Sequence, residues 1–270
     1  MSKIKKLIDE VATFLLDMDG VLYVGNTPIE GAAKTVAYLR RKGKKIIFMT
    51  NNSASTRRAY VQKLAKMGIA ARESDVLTSG YVTVLYLRER APRARVYIVG
   101  ELGLKEELLN GGFKVLTDRR VEEADFVVVG LDRAMSYKKL TAGVRALLAG
   151  AEMIATNMDA TYPTEGGLSP GAGATVGALS ASSGKQPKVV IGKPSPFMIK
   201  LALGIVGSRP SETAIVGDKL ATDMLAGKRF GLKTILVLSG VTSKHDIEKI
   251  KIGKMPDLVV PGIKSLMVGK

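Results

Sequence analysis

The chain contains no cysteine. Disulfides, zinc–thiolate sites and cysteine nucleophiles are thereby excluded, and a reducing compartment is permitted. It has one histidine, His245, in the polar stretch Ser243-Lys-His-Asp-Ile. HExxH zinc hydrolases and multi-histidine metal centres cannot be assembled from it. A Ser-His-Asp triad would have to pass through that one residue, with no G-x-S-x-G elbow before it. His245 reads instead as an exposed residue at a helix start. No apolar run approaches the about 20 residues needed to cross a bilayer. Asp9 and Glu10 interrupt the lysine-bearing N-terminus before an export-type hydrophobic segment builds up. A cytoplasmic location with no membrane partner is the expectation. Internal repeats and low-complexity tracts are absent too. Any catalysis must run on carboxylates, lysines, hydroxyls, backbone amides and a hard metal ion.

What is present is a chain of 270 residues, 46% apolar, able to bury a substantial core. At about 100–200 residues per domain, two domains or one large one are expected. The 41 basic residues outnumber 25 acidic ones, for a net charge of +16. Three readings fit: a nucleic-acid footprint, a solvated surface, or a field that raises the encounter rate with anionic substrates. The basic residues are scattered through Arg40-Arg41-Lys42, Arg57-Arg58, Arg88 to Arg95 and Lys244 to Lys254, with acidic residues between them and no aromatic-rich binding motif. That spread favours the solvated surface, and nucleic acid is not an expected partner.

Short apolar runs alternate with amphipathic stretches, the pattern of a parallel sheet covered by helices. Strands are expected over 13–16, 45–50, 96–100, 126–131, 152–156, 189–192, 213–217, 234–238 and 258–260. Helices are expected over 35–41, 56–66, 104–109, 137–148 and 194–203. Four of the strands end abruptly in polar residues, at Asp17, Thr50-Asn51, Gly192-Lys193 and Gly217-Asp218. In an open parallel sheet, ligands bind outside the carboxyl ends of the strands. The expected fold is α/β, a doubly wound Rossmann-like parallel-sheet core formed by residues 1–80 and 185–270. An inserted α/β unit spans 81–184.

Four motifs carry candidate chemistry. In Phe14-Leu-Leu-Asp17-Met-Asp19-Gly20, an extended backbone points both aspartates the same way as the chain leaves a buried strand. Their mutual repulsion would be relieved by a divalent cation, and Mg²⁺ favours carboxylate oxygens together with substrate phosphate. An ordinary Asp-Gly turn is the competing reading, and Gly20 stands at the wrong position for a calcium EF-hand. In Met49-Thr50-Asn51-Asn52-Ser53, a strand runs into hydroxyls and amides that suit an anion, unless Ser53 or Ser55 merely caps the next helix. In Val189-Val-Ile-Gly192-Lys193-Pro194, a lysine at a buried strand end calls for a negative partner. No Gly-Lys pair here is followed by Ser or Thr, so it is not a P-loop. In Val216-Gly217-Asp218-Lys-Leu-Ala-Thr222-Asp223, two aspartates leave a strand together, unless Asp218 is a helix N-cap. Gly171-Ala-Gly173-Ala-Thr-Val-Gly177 has the wrong spacing for a dinucleotide fingerprint.

Taken in this order, the motifs DxDGV, Thr, Lys and GDxxxTD resemble the haloacid-dehalogenase (HAD) superfamily of aspartate-nucleophile phosphatases. Further stretches, Thr50-Asn-Asn-Ser, Gly130-Leu-Asp132, Thr156-Asn157-Met-Asp159, Pro170-Gly-Ala-Gly173 and Gly192-Lys-Pro-Ser195, are similar to its branch with a type-IIA cap. That branch includes para-nitrophenyl, NagD-type, phosphoglycolate and pyridoxal phosphatases. The resemblance implies an Mg²⁺-dependent phosphomonoesterase acting on small phosphorylated metabolites. Asp17 is then the nucleophile and Asp19 the acid and base. Thr50, Asn51 and Lys193 bind the phosphate. Asp17, the Asp19 carbonyl, Asp218 and Asp223 hold Mg²⁺. Asn52, Asp132, Asn157, Asp159 and Tyr162, the last in the loop 162–167, are the candidates for substrate selection. A homodimer through the cap belongs to the same expectation. A phosphotransferase using Asp17, or a non-catalytic phosphometabolite-binding protein, stands as the alternative.

Overall fold

In the computed structural model, residues 3–164, 166–249 and 255–267 are described. Glu165 of the candidate selection loop, and Lys251 and Lys254 of the last basic cluster, lie outside them. The chain forms two compact units, one of residues 3–50, 61–77 and 199–267, the other of 51–60 and 78–198.

The first unit is built on a six-stranded sheet. Its strands, in chain order, are Thr13–Asp17, Lys45–Thr50, Val76–Thr78, Thr213–Gly217, Lys233–Val237 and Leu258–Val260. Counted along the chain, they lie across the sheet as 3-2-1-4-5-6, the Rossmann order. Thr13–Asp17 pairs in parallel with Lys45–Thr50 on one side and Thr213–Gly217 on the other. Phe14, Leu15 and Leu16 are wholly inaccessible. A central strand covered on both faces needs such an unbroken apolar run rather than an alternating one. The helix Ala32–Arg41 buries Ala32, Thr35, Val36 and Leu39, one stripe at the 3.6-residue period.

The second unit has a five-stranded parallel sheet of its own. It contains Arg95–Val99, Lys114–Val115, Phe126–Val129, Glu152–Ala155 and Val189–Val190. Its order across the sheet, 2-1-3-4-5, is that of flavodoxin-like folds. Val127, Val129, Met153, Ala146, Leu147 and Leu179 close its core. A hairpin, Thr161–Thr164 with Gly167–Pro170, leads into the helix Ala172–Ser183. That helix begins at the glycine-rich stretch whose spacing does not fit a dinucleotide fingerprint.

The division differs from the one read in the sequence. Val189–Val190 pairs with Glu152–Ala155, so 185–198 goes with the second unit and not the first, and 51–60 goes with it as well. The apolar run at 189–191 looks the same whichever sheet it joins, because any buried parallel strand is apolar on both faces. The helices Ser79–Arg90 and Ala172–Ser183 were also not foreseen. Val82, Thr83 and Val84 mimic strand chemistry in the first, and small residues blur the period of the second. His245 stands where expected, second in the helix Lys244–Glu248, its side chain 72% exposed. Among the described residues no helix is long and apolar enough to cross a membrane.

Candidate active site

The order 3-2-1-4-5-6 reverses direction between Thr13–Asp17 and Thr213–Gly217. At such a switch point the crevice outside the carboxyl ends is open for a ligand. Asp17 closes the first strand, and Asp218 follows the second. One carboxylate oxygen each of Asp17, Asp218 and Asp223 lie within 4.8 Å of one another. Asp218 and Asp223 are buried. Three carboxylates brought this close repel one another unless a cation lies among them, and an all-oxygen donor set of this kind suits a hard divalent ion. The residues therefore fit a magnesium site.

Asp218 is not a helix cap. Its Oδ2 accepts the Val241 N–H at 2.7 Å, and its backbone carbonyl accepts the Thr242 N–H at 3.2 Å. Ser239 Oγ in the same loop donates to the Gly20 carbonyl at 2.7 Å, tying the two strand ends together. A Cβ on Gly20 would come within 2.3 Å of Asp218 Oδ2, and one on Gly240 within 2.0 Å. Only glycine permits the carboxylate to sit there. Asp223 Oδ2 accepts from Lys219 N–H and Thr222 Oγ, both at 3.3 Å.

Asp19 lies two residues beyond Asp17, just before the turn at 20–22, in an isolated bridge to Tyr23. Its buried Oδ1 has no hydrogen-bond partner among the described residues. Burial pushes its carboxyl above the usual carboxylate range, against the opposing pull of Lys63, the Gly20 N–H and Lys219. Lys63 is a site residue the sequence reading missed. Its ammonium sits 3.7 Å from the centroid of the Tyr23 ring, and desolvation holds its own pKa down. Nothing in the helical pattern around it sets Lys63 apart from Lys66, which is why it could not be picked out. Thr50 ends the neighbouring strand and is buried.

The remaining candidates belong to the second unit. Asn51, Asn157, Asp159 and the buried Lys193 gather in one hydrogen-bonded group there. Asn52 is turned to its own backbone, its Oδ1 accepting the Ala54 N–H at 2.8 Å. Neither Ser53 nor Ser55 caps the following helix. Thr56 accepts the Ala59 N–H, while Ser53 is buried against Thr156. The Asp132 carboxylate is taken up by Lys139 at 2.7 Å and by the Ala134 N–H. It shares with Tyr162 a cavity of about 620 Å³, also lined by Arg133, Tyr137 and Thr175. Arg133 in turn is paired with Glu101.

Residues 14–114 match the family described as haloacid dehalogenase-like hydrolase, and residues 190–266 a second, HAD-hydrolase-like family. An acid sugar phosphatase of Staphylococcus epidermidis is 39% identical over 239 residues, 88% of this chain and 91% of that one. The structure of a p-nitrophenyl phosphatase from Archaeoglobus fulgidus superimposes with a TM-score of 0.88 at 37% identity, covering 94% of this chain and 97% of that one. A glycerol phosphate phosphatase, Rv1692 of Mycobacterium tuberculosis, was solved in complex with magnesium. It gives a TM-score of 0.87 at 33% identity, over 96% of this chain and 77% of that one. With the carboxylates at the switch point and similarity along nearly the whole chain, the protein belongs to the haloacid dehalogenase-like hydrolases and is a phosphoric monoester hydrolase of the NagD type.

Proposed function

We propose that this phosphatase is Mg²⁺-dependent, hydrolyses small phosphorylated metabolites, and works through an aspartyl-phosphate on Asp17. The observation that carries the reading is the meeting of Asp17, Asp218 and Asp223 at the switch point, with the half-buried Asp19 two residues on from Asp17. An Asp17 carboxylate oxygen attacks phosphorus in line as the ester P–O bond breaks, and Asp19 donates a proton to the leaving oxygen. Water then attacks the aspartyl-phosphate, Asp19 takes its proton, and the Asp17 carboxylate leaves. The net change is ester plus water to alcohol plus inorganic phosphate, with Asp19 protonated again. Phosphoryl transfer depends on positioning and on charge stabilisation over the equatorial oxygens. The motif match assigns that work to the Thr50 hydroxyl, the Asn51 N–H and Lys193. Mg²⁺ would be held by Asp17, the Asp19 carbonyl, Asp218 and Asp223, and would neutralise charge on the phosphoryl oxygens.

In this reading residues 1–80 and 185–270 form the catalytic core, and 81–184 form the inserted cap. The relatives are named for sugar, aryl and glycerol phosphates, unlike leaving groups that share only the phosphate. Tyr162, which lines the same cavity as Asp132, is the best placed of the candidate selectors, since the Asp132 carboxylate is itself buried against Lys139. The enzyme works in the cytoplasm on diffusible substrates. A homodimer through the cap belongs to the same proposal.

The test is Asp17→Asn with para-nitrophenyl phosphate and Mg²⁺. Turnover falls by at least about a thousandfold while the variant stays folded, because an amide is a poor nucleophile. Hydrolysis by that variant at the wild-type rate, or full wild-type activity in excess chelator, would overturn the reading.

A further inference from the structure

Polar groups of the second unit close on one another around Asn51 in a way that phosphate binding alone does not account for. Asn51 Oδ1 accepts the Lys193 N–H at 2.8 Å. Its Nδ2 donates to the Lys193 carbonyl at 2.9 Å and to Asp159 Oδ2 at 3.0 Å. One side-chain amide thus grips both backbone polar groups of a single residue, as a neighbouring strand would. Its orientation is determined, since the flipped amide would set an oxygen against two acceptors and an amino group against a donor. Asn157 closes the ring. Its Nδ2 donates to the Asn51 carbonyl at 2.7 Å, and its Oδ1 accepts the Asp159 N–H at 3.0 Å. Ser79 Oγ donates to the same carbonyl at 2.5 Å. Asn157 and Lys193 are each 3% exposed. A Cβ on Gly192 would lie 2.6 Å from Asn51 Oδ1 and 2.7 Å from the Thr156 carbonyl, so the backbone can come this close only as glycine.

In a water-poor interior, a ring whose members satisfy one another is stiff, and removing one member leaves the others with unmet polar groups. The group the ring holds is the Lys193 backbone. We propose that Asn157 and Asp159 are positioning residues. They hold the Asn51 amide, and through it they aim the Lys193 side chain. The proposal rests on the reading of Lys193 as a phosphate-binding cation. It moves Asn157 and Asp159 out of substrate selection, because a residue that acts through the phosphate cradle affects every phosphate ester alike. A misplacement of about 1 Å in such a group can cost on the order of a hundredfold in rate.

The experiment measures kcat and KM of D159A, N157A, K193A and D159A/K193A on para-nitrophenyl phosphate, glycerol phosphate and a hexose phosphate, with thermal unfolding of each variant. Expected for D159A and N157A is a fall in kcat of about tenfold to a hundredfold, by one common factor for the three substrates. D159A adds no further loss in the K193A background, whereas a general loosening of the fold would add its own. Where N157A does not fold, the half-buried Asp159 carries the test through D159A alone, and the same uniform loss is expected of it. Ratios of kcat/KM among the substrates that shift by more than about tenfold would return both residues to selection and overturn the proposal. Additive losses in the double variant would also overturn it. Wild-type turnover by K193A would instead remove the reading of Lys193 on which the proposal stands.

Discussion

Gly240 lies 22 positions from Asp218, too far along the chain for any local pattern to pair the two, yet its missing side chain makes room for the Asp218 carboxylate. An added Cβ would fall 2.0 Å from Asp218 Oδ2. Unlike Gly20, at φ +78°, Gly240 has no left-handed backbone, so alanine there tests the clash by itself. G240A is expected to raise the Mg²⁺ concentration needed for half-maximal activity on the order of tenfold, the usual scale for residues that orient a metal ligand. A Mg²⁺ activation curve identical to wild type would show that Asp218 has no need of that space. Asp17, Asp19, Asp218 and Asp223 were all legible in the sequence, because paired aspartates at the end of an apolar run are unusual. Gly240, Ser239 and Lys63 were not, since nothing local distinguishes them from other loop and helix residues.

The strand Thr13–Asp17 is the element on which the site depends. It pairs on both sides, and Leu15 in its middle has no exposed surface. L15A is expected to cost about 2–5 kcal/mol, the range for truncating a buried leucine. Urea unfolding would register it, and a loss below about 1 kcal/mol would mean the strand end is held by something other than this packing. Most strand ranges read from the sequence lie within a residue or two of those observed, as apolar runs of this kind allow. The exception that matters is Val189–Val190. Its residues announce a buried strand, but which sheet takes it up depends on the pairing with Glu152–Ala155. The helix Ser79–Arg90 shows the opposite failure, where β-branched residues are overruled by the packing of Val82, Val84 and Leu87.

At the scale of the whole molecule, the net charge of +16 sets a long-range field. The ion pairs that use some of this charge, such as Arg95 with Asp125 and Arg133 with Glu101, are largely at the surface and contribute little to stability individually. The field instead favours encounter with a phosphate dianion. Raising ionic strength from about 0.01 M to 0.15 M shortens the screening length from about 30 Å to 8 Å. Over that range kcat/KM for a dianionic substrate is expected to fall several-fold with kcat nearly constant. A kcat/KM insensitive to salt would leave the charge without this role.

The order of residues alone determined the chemistry available: no thiol, a single exposed imidazole, and carboxylates placed where apolar runs end. It determined as well that buried parallel strands would form, since only strands covered on both faces tolerate such runs. Tertiary structure decided which strand ends became neighbours. The reversal between Thr13–Asp17 and Thr213–Gly217 brings carboxylates some two hundred residues apart to within 4.8 Å, and an Asn51 amide makes its closest bonds to Lys193. Side-chain pattern encodes which faces are buried, but partners across a sheet are selected by the packing of the whole unit, which no local stretch of sequence contains.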